Sequence, residues 1–234
     1  MSPACDSNAA GASGRWFRRR TVPVPTWRTV GLAAVLGAVA FAGAVRALPG
    51  FLAVTARVPG AELLAVEAWG PDFVVGAAWA EYRQGGYKRL FVTGGPMERG
   101  EALSEYGSYA ELGRATLLRL GAPAEGVEAV AGPKVVRDRT LASALALRAT
   151  LAARGALPKA LSVMTPGAHA RRTRLMYELA FGPEVAIGII AVPDERYEAA
   201  EWWRSSVGLR TELSELIGYL QARVVGRPAG TGGS

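Results

Sequence analysis

The sequence predicts an α/β protein, a Rossmann-like three-layer αβα sandwich with a mostly parallel sheet, preceded by one N-terminal transmembrane helix. Three observations predict it. From Pro59 onward short apolar runs alternate with longer amphipathic stretches, the pattern of strand–helix repeats joined by right-handed crossovers. The long stretches stop at Gly85, Gly121, Gly155 and Gly182, as helix C-termini do. Ahead of them, residues 29–45 read TVGLAAVLGAVAFAGAV, 17 residues without a charge.

Residues 1–28 carry five Arg and one Asp, a net +4, which leaves only +3 of the chain's +7 for the other 206 residues. A protein that grips nucleic acid through phosphates carries its surplus on the folded domain, so this distribution argues against nucleic acid. The Gly/Ser/Ala-rich leader is expected to be disordered and cytoplasmic. A bilayer core takes about 20 helical residues, and with Arg46 snorkelling the apolar run extends through Leu48 to Pro49, giving a signal-anchor helix over 29–49. Arg18, Arg19, Arg20 and Arg28 precede it and only Arg46 and Arg57 follow closely. The positive-inside rule then leaves the N-terminus in the cytoplasm and the folded domain outside a cytoplasmic (inner) membrane crossed once. A signal peptide cleaved near Ala40-Phe41-Ala42 and a buried core helix are the alternatives. The only cysteine, Cys5, lies in the leader, so the domain has no thiol to catalyse, bind metal or cross-link.

The α/β domain is expected over residues 50–226, with a disordered tail over 227–234. A first strand is read over 62–69 and a helix over Asp72–Gln84, closed by Gly85-Gly86. A short buried-type strand over 89–93 leads through Gly94-Gly95-Pro96-Met97-Glu98-Arg99-Gly100 to a helix over 104–120. Val127–Ala131 is the third strand and 139–154 the third of the domain's helices. Residues 161–164 and the β-branched run 185–192 are the fourth and fifth strands, flanking a helix over 168–180. The last helix, Ser206–Val225, has Leu209, Leu213, Leu216, Ile217, Leu220 and Val224 at the spacing of one buried face.

In open parallel sheets ligands bind beyond the carboxyl ends of the strands. The stretch Thr165-Pro166-Gly167-Ala168-His169-Ala170-Arg171-Arg172-Thr173-Arg174 joins such an end to a helix and holds the sole histidine with three Arg. A helix start is already partly positive, so cations there call for an anion, either a phosphate or carboxylate ligand or surface acids such as Glu178 and Glu198. Arg137 and Arg139 repeat the arrangement at another helix start, where Asp138 or Thr140 would cap. His169 is read as a general base or acid, or as a neutral hydrogen-bonded structural residue. Thr93-Gly94-Gly95 could let backbone approach an oxyanion, or simply turn the chain. Ser104-Glu105 fits a helix cap as well as a catalytic carboxylate, and Glu67 could orient His169 or bind a cation. No His/Cys/Asp spacing resembles a metal site, and there is neither a P-loop nor a Ser-centred nucleophile elbow. Trp202-Trp203 could flank a ligand, rest at a membrane interface or pack in the core.

At Thr93-Gly94-Gly95, Ser104-Glu105, Thr140, Thr165/His169/Arg172 and Glu215/Gly218 the chain resembles the YdcF/SanA/ElyC family, a bacterial domain often tethered behind one membrane helix. The resemblance spans residues 62–219, and its most specific element is Thr165/His169/Arg172. It is a divergent branch: Glu67-Ala68-Trp69-Gly70-Pro71 replaces the glycine-rich turn after the first strand, and Ala142-Ser143 replaces a Glu-Asn pair. The resemblance implies a role in envelope biogenesis, around peptidoglycan and polyprenyl-phosphate carriers. Joined to the cations and to Glu67 read above, it leads to a phosphorylated or lipid-linked ligand held by Thr93, Gly94, Gly95, Arg139, Thr140, Thr165, Arg171 and Arg172, with His169, Glu67 and Glu105 as candidate catalytic groups. The alternatives are a non-catalytic envelope scaffold and an S-adenosylmethionine- or nucleotide-binding domain. No cofactor is singled out.

Overall fold

A computed structural model describes residues 23–98 and 103–225. Most of the 1–28 leader, including Cys5 and the Arg18–Arg20 cluster, lies outside the described residues, as do Arg99 and Gly100 and the 227–234 tail. The chain divides after Gly43 into two compact units. Among its described residues the first is mostly helix α1, Trp27–Leu52, whose final residues belong to the second unit. Thr26 caps it, its hydroxyl accepting the Thr29 N–H at 3.4 Å. At 26 residues α1 is about 39 Å long, more than a hydrocarbon core requires. Its best 18-residue window has a mean hydropathy of 1.9 and no buried residue, so α1 is long and apolar enough to cross a membrane. That exposure contradicts the alternative of a buried core helix.

The second unit is a doubly wound α/β sandwich. Strands β1 (Leu63–Glu67), β2 (Arg89–Gly94), β3 (Val127–Ala131), β4 (Ala160–Pro166) and β5 (Ala186–Val192) form one all-parallel sheet in the order β3-β2-β1-β4-β5. Alternate residues face opposite layers. Ala65, Phe91 and Val163 pack with Leu147 and Leu151 of α4 (Arg139–Ala153) and Tyr177 and Phe181 of α5 (Ala170–Phe181). Leu64, Val66, Val92 and Met164 pack with Val74 and Val75 of α2 (Asp72–Gln84) and Leu117 of α3 (Tyr109–Arg119). With both faces covered, every residue of β4 is buried, which is why the strands read as continuous apolar runs. A strap after α1 runs along the outer edge of β5, where Ala56 and Ile189 exchange backbone hydrogen bonds of 2.8 and 2.9 Å.

Three expectations are corrected. The helix expected over 104–120 begins at Tyr109, because Ser108 and Glu111 form a capping box: the Ser108 hydroxyl accepts the Glu111 N–H and the Glu111 carboxylate accepts the Ser108 N–H. Ser104 instead accepts the Tyr106 N–H in a local turn. At α4, Asp138 precedes the helix in the left-handed region and its side chain caps nothing, while Thr140 is engaged elsewhere. The third correction is α6 (Ser206–Val225): Leu209, Leu213, Ile217, Leu220 and Val224 are exposed, and the inward face is Gly208, Glu212 and half-buried Glu215 and Gly218.

Candidate active site

The strand order reverses between β1 and β4, so a crevice opens beyond their carboxyl ends. β1 ends on Glu67 and β4 on Thr165 and Pro166, and a 3-10 turn, Gly167–His169, runs straight into α5. The crevice is a cleft of about 630 Å³ walled by Trp69, Gly95, Thr140, Arg139, His169 and Arg172, with Glu215 reaching in from α6. A smaller hollow of about 260 Å³, lined in part by Pro71, Arg196 and Thr211, reaches the same Trp69, His169 and Glu215.

His169 is buried at the centre of this arrangement. Its Nδ1 lies 2.9 Å from Glu215 Oε2 and also 2.9 Å from Arg172 Nη2. A guanidinium has no lone pair to offer and a carboxylate no proton, so one ring nitrogen serves only one of them. Arg172 gives Nε and one Nη2 hydrogen to Glu215 at 2.8 and 3.0 Å and keeps a second Nη2 hydrogen, which donates to Nδ1 in the tautomer that carries its proton on Nε2; in the other tautomer the Nδ1–H faces Glu215. In the Nδ1–H tautomer the Nε2 lone pair accepts from the Thr140 hydroxyl at 3.3 Å, and in the Nε2–H tautomer the ring donates to it. The Nδ1–H tautomer makes Thr140–His169–Glu215 a hydroxyl–imidazole–carboxylate row, the geometry by which a base activates a hydroxyl. Trp69 packs edge-on against the imidazole, with ring centroids 4.8 Å apart.

Two electrostatic features support the row. Burial works against charge on Glu215, but His169 and Arg172 outweigh it and hold its carboxyl down to about 2. Behind the ring, Glu67 Oε2 sits 3.6 Å from Nε2 and accepts hydroxyls from Thr165 at 2.6 Å and Thr173 at 2.7 Å. Burial, with Glu67 nearby, pushes the Tyr177 hydroxyl up, so Tyr177 stays a neutral partner for Thr93 at 3.1 Å.

The residues expected to form the site are only partly gathered. Glu67, Thr140, Thr165, His169 and Arg172 converge, Gly95 lines the cleft, and Arg139 lies at its rim paired with Glu98. Thr93 is buried beneath, donating to the Val66 carbonyl. Gly94 serves packing: a Cβ there would fall 2.8 Å from Tyr109 and 2.9 Å from the Ala110 nitrogen, so only glycine lets α3 start this close. Glu105 is exposed and does not line the cleft, since the helix it was expected to open starts four residues later. Arg171 also points elsewhere, donating to the Phe51 carbonyl with its guanidinium over the Phe51 ring. Acids within the chain compensate the cations of the 165–174 stretch, Glu215 for Arg172 and Glu178 for Arg174. Lys134, Trp69 and Thr173 join the site without having been singled out. Glu215, named by the resemblance and not among the expected site residues, joins the site from the inward stripe of an apolar helix.

Among the described residues no group of three or more His, Cys, Asp and Glu side chains is placed to hold a metal ion. Compared with protein families and with curated proteins, the chain matches none.

Proposed function

We propose that this is a membrane-anchored, extracytoplasmic protein of the cell envelope. Its cleft binds a phosphorylated ligand, of polyprenyl-phosphate or glycan type, and transfers the phosphoryl group to water or to an acceptor hydroxyl. The observation that carries the reading is the Thr140–His169–Glu215 row in the wall of a cleft at the sheet's switch point. Anchoring is supported by the exposed apolar helix α1. The resemblance at Thr165/His169/Arg172 supports the envelope context and the ligand class.

In this reading His169 Nε2 takes the proton of the attacking hydroxyl as the bond to phosphorus forms and returns it to the leaving oxygen. Glu215 holds the ring through Nδ1–H, and the charge it leaves on imidazolium is met by Glu215 and Glu67. Arg139 and Lys134 at the cleft meet the charge growing on the phosphoryl oxygens, for which Arg139 must exchange Glu98. Arg172 keeps Glu215 in place, and Arg171 has no part in the cleft.

The test follows phosphate release from pyrophosphate and a short-chain polyprenyl diphosphate by the detergent-solubilised full chain, with its melt recorded alongside. Saturating ligand at about 100 times its Kd adds about 2.7 kcal/mol of stability. His169→Ala is expected to abolish release and to leave a ligand-dependent rise in melting temperature. Release that survives His169→Ala refutes the mechanism. Thr140→Ala identifies the nucleophile: a loss equal to that of His169→Ala assigns attack to Thr140, and retention assigns it to an incoming hydroxyl. A non-catalytic scaffold is the second reading, favoured by the pairing of Arg172 and Arg139 with acids inside the chain. Loss of in-cell function on Arg139→Ala with no turnover by the wild type would establish it.

A further inference from the structure

The outer face of α6 is apolar where a water-facing surface would be polar. Leu209, Leu213, Ile217, Leu220 and Val224 follow one another at four- and three-residue steps along the exposed side, with Ile217 65% and Val224 84% accessible. The charges are sorted as well. Both acids of the helix turn inward: Glu212 is buried and accepts the Tyr197 hydroxyl at 2.8 Å, and Glu215 is held by Arg172. The exposed companions of the ridge are Arg210, Arg223, Ser206, Ser214 and Gln221. An apolar stripe bordered by Arg and by no acid has the chemistry of a helix lying in an anionic lipid interface.

The surroundings of α6 lead to the same partner. Trp202 and Trp203 come just before it: Trp202 is buried, its indole N–H donating to the Val45 carbonyl at 3.0 Å, and the Arg46 guanidinium lies 5.6 Å from the half-buried Trp203 ring. Farther along, Tyr219 meets Phe51 edge-on, with centroids 5.7 Å apart. Val45, Arg46 and Phe51 are the end of α1, and paired Trp and Arg at the end of a span are headgroup-depth residues.

We propose that the exposed face of α6 rests in the headgroup layer of an anionic membrane, with Leu213 and Ile217 inserted and Arg210 and Arg223 on lipid phosphates. The proposal rests on the anchored reading only in requiring a bilayer beside α1.

The test uses the full chain with Cys5→Ser, carrying one cysteine at Leu213, Ile217 or, as a control on α4, Leu145. Each is labelled with an environment-sensitive fluorophore and reconstituted into phosphatidylcholine vesicles containing phosphatidylglycerol and nitroxide-bearing lipid. Labels at 213 and 217 are expected to shift to the blue and be quenched by the nitroxide, and the label at 145 to do neither. Replacing Arg210 and Arg223 by Gln is expected to weaken insertion about 30-fold. Chains that float with the vesicles while labels at 213 and 217 behave like that at 145 overturn the lipid contact and leave anchoring intact. Labels shielded from water but not quenched, in proportion to protein density, overturn it in favour of a second copy. A chain that does not float overturns both.

Discussion

Two carboxyls three residues apart on α6 have opposite fates, and each makes a prediction about pH. Glu215 is held down to about 2, against an ordinary 4.5, because His169 and Arg172 outweigh its burial. A folded-state value below the unfolded one contributes stability that is complete above the unfolded value and is lost as the pH falls through the folded one. Thermal melts should therefore lose on the order of 3 kcal/mol between about pH 5 and 2, and Glu215→Gln should lose much less over that range while being less stable at neutral pH. Glu212 is pushed up, chiefly by burial and further by Asp194 and Glu215, and its Oε2 has no hydrogen-bond partner among the described residues. The sign reverses: as the pH rises above the ordinary carboxyl range, the folded state must give up a proton it holds more tightly. Glu212→Gln is expected to raise stability near neutral pH and to change little near pH 4, measured by melts at the two values. Of these residues the sequence made His169 and Arg172 conspicuous, one by being the sole histidine and the other by its place after a strand. Glu67, Thr165 and Thr173 were harder to connect, because their shared oxygen depends on strand register that residue spacing does not reveal.

Among the elements, the strands and α2, α4 and α5 were legible because continuous apolar runs and terminal glycines mark them without reference to tertiary partners. α3 was legible in existence and not in its start. Two serines compete to open it, and the competition is decided by Glu111 standing three residues after Ser108. Ser108→Ala should cost about 1 kcal/mol and lower the melting temperature by about 2–4 °C, whereas Ser104→Ala should leave it unchanged, by calorimetry. The inward face of α6 was misread because its leucines have helical spacing but the sheet side of the helix is taken by a polar cluster. Gly208 and Gly218 were the visible clue. A Cβ at Gly218 would lie 3.1 Å from the Arg172 guanidinium, so the glycine makes room for a charge where an apolar face would hold a leucine.

For the whole molecule, the strap after α1 closes the outer edge of β5. It fits because β5 has a glycine opposite it: a Cβ at Gly188 would fall 2.9 Å from Val58 Cγ1 and 3.0 Å from its nitrogen. Gly188→Val is expected to lift the strap, cost about 1–3 kcal/mol, and speed hydrogen exchange at the Ile189 amide, which now donates to Ala56. An exposed parallel edge would also promote aggregation. The sandwich itself was legible from alternation, but the strand order, and with it the pairing of β1 with β4, was not written in any local pattern. That central pairing also has a kinetic consequence. Glu67 waits for Thr165, 98 residues later, and Arg172 waits another 43 for Glu215. Contacts so distant along the chain close slowly and late. Because β1 and β2 are neighbours in sequence, one half of the sheet can form early, and the contact of Glu215 with His169 and Arg172 becomes complete only when the last helix docks. A chain released before α6 would carry a nearly finished sheet without Glu215 beside His169, so the closing of that contact would time the final step of folding.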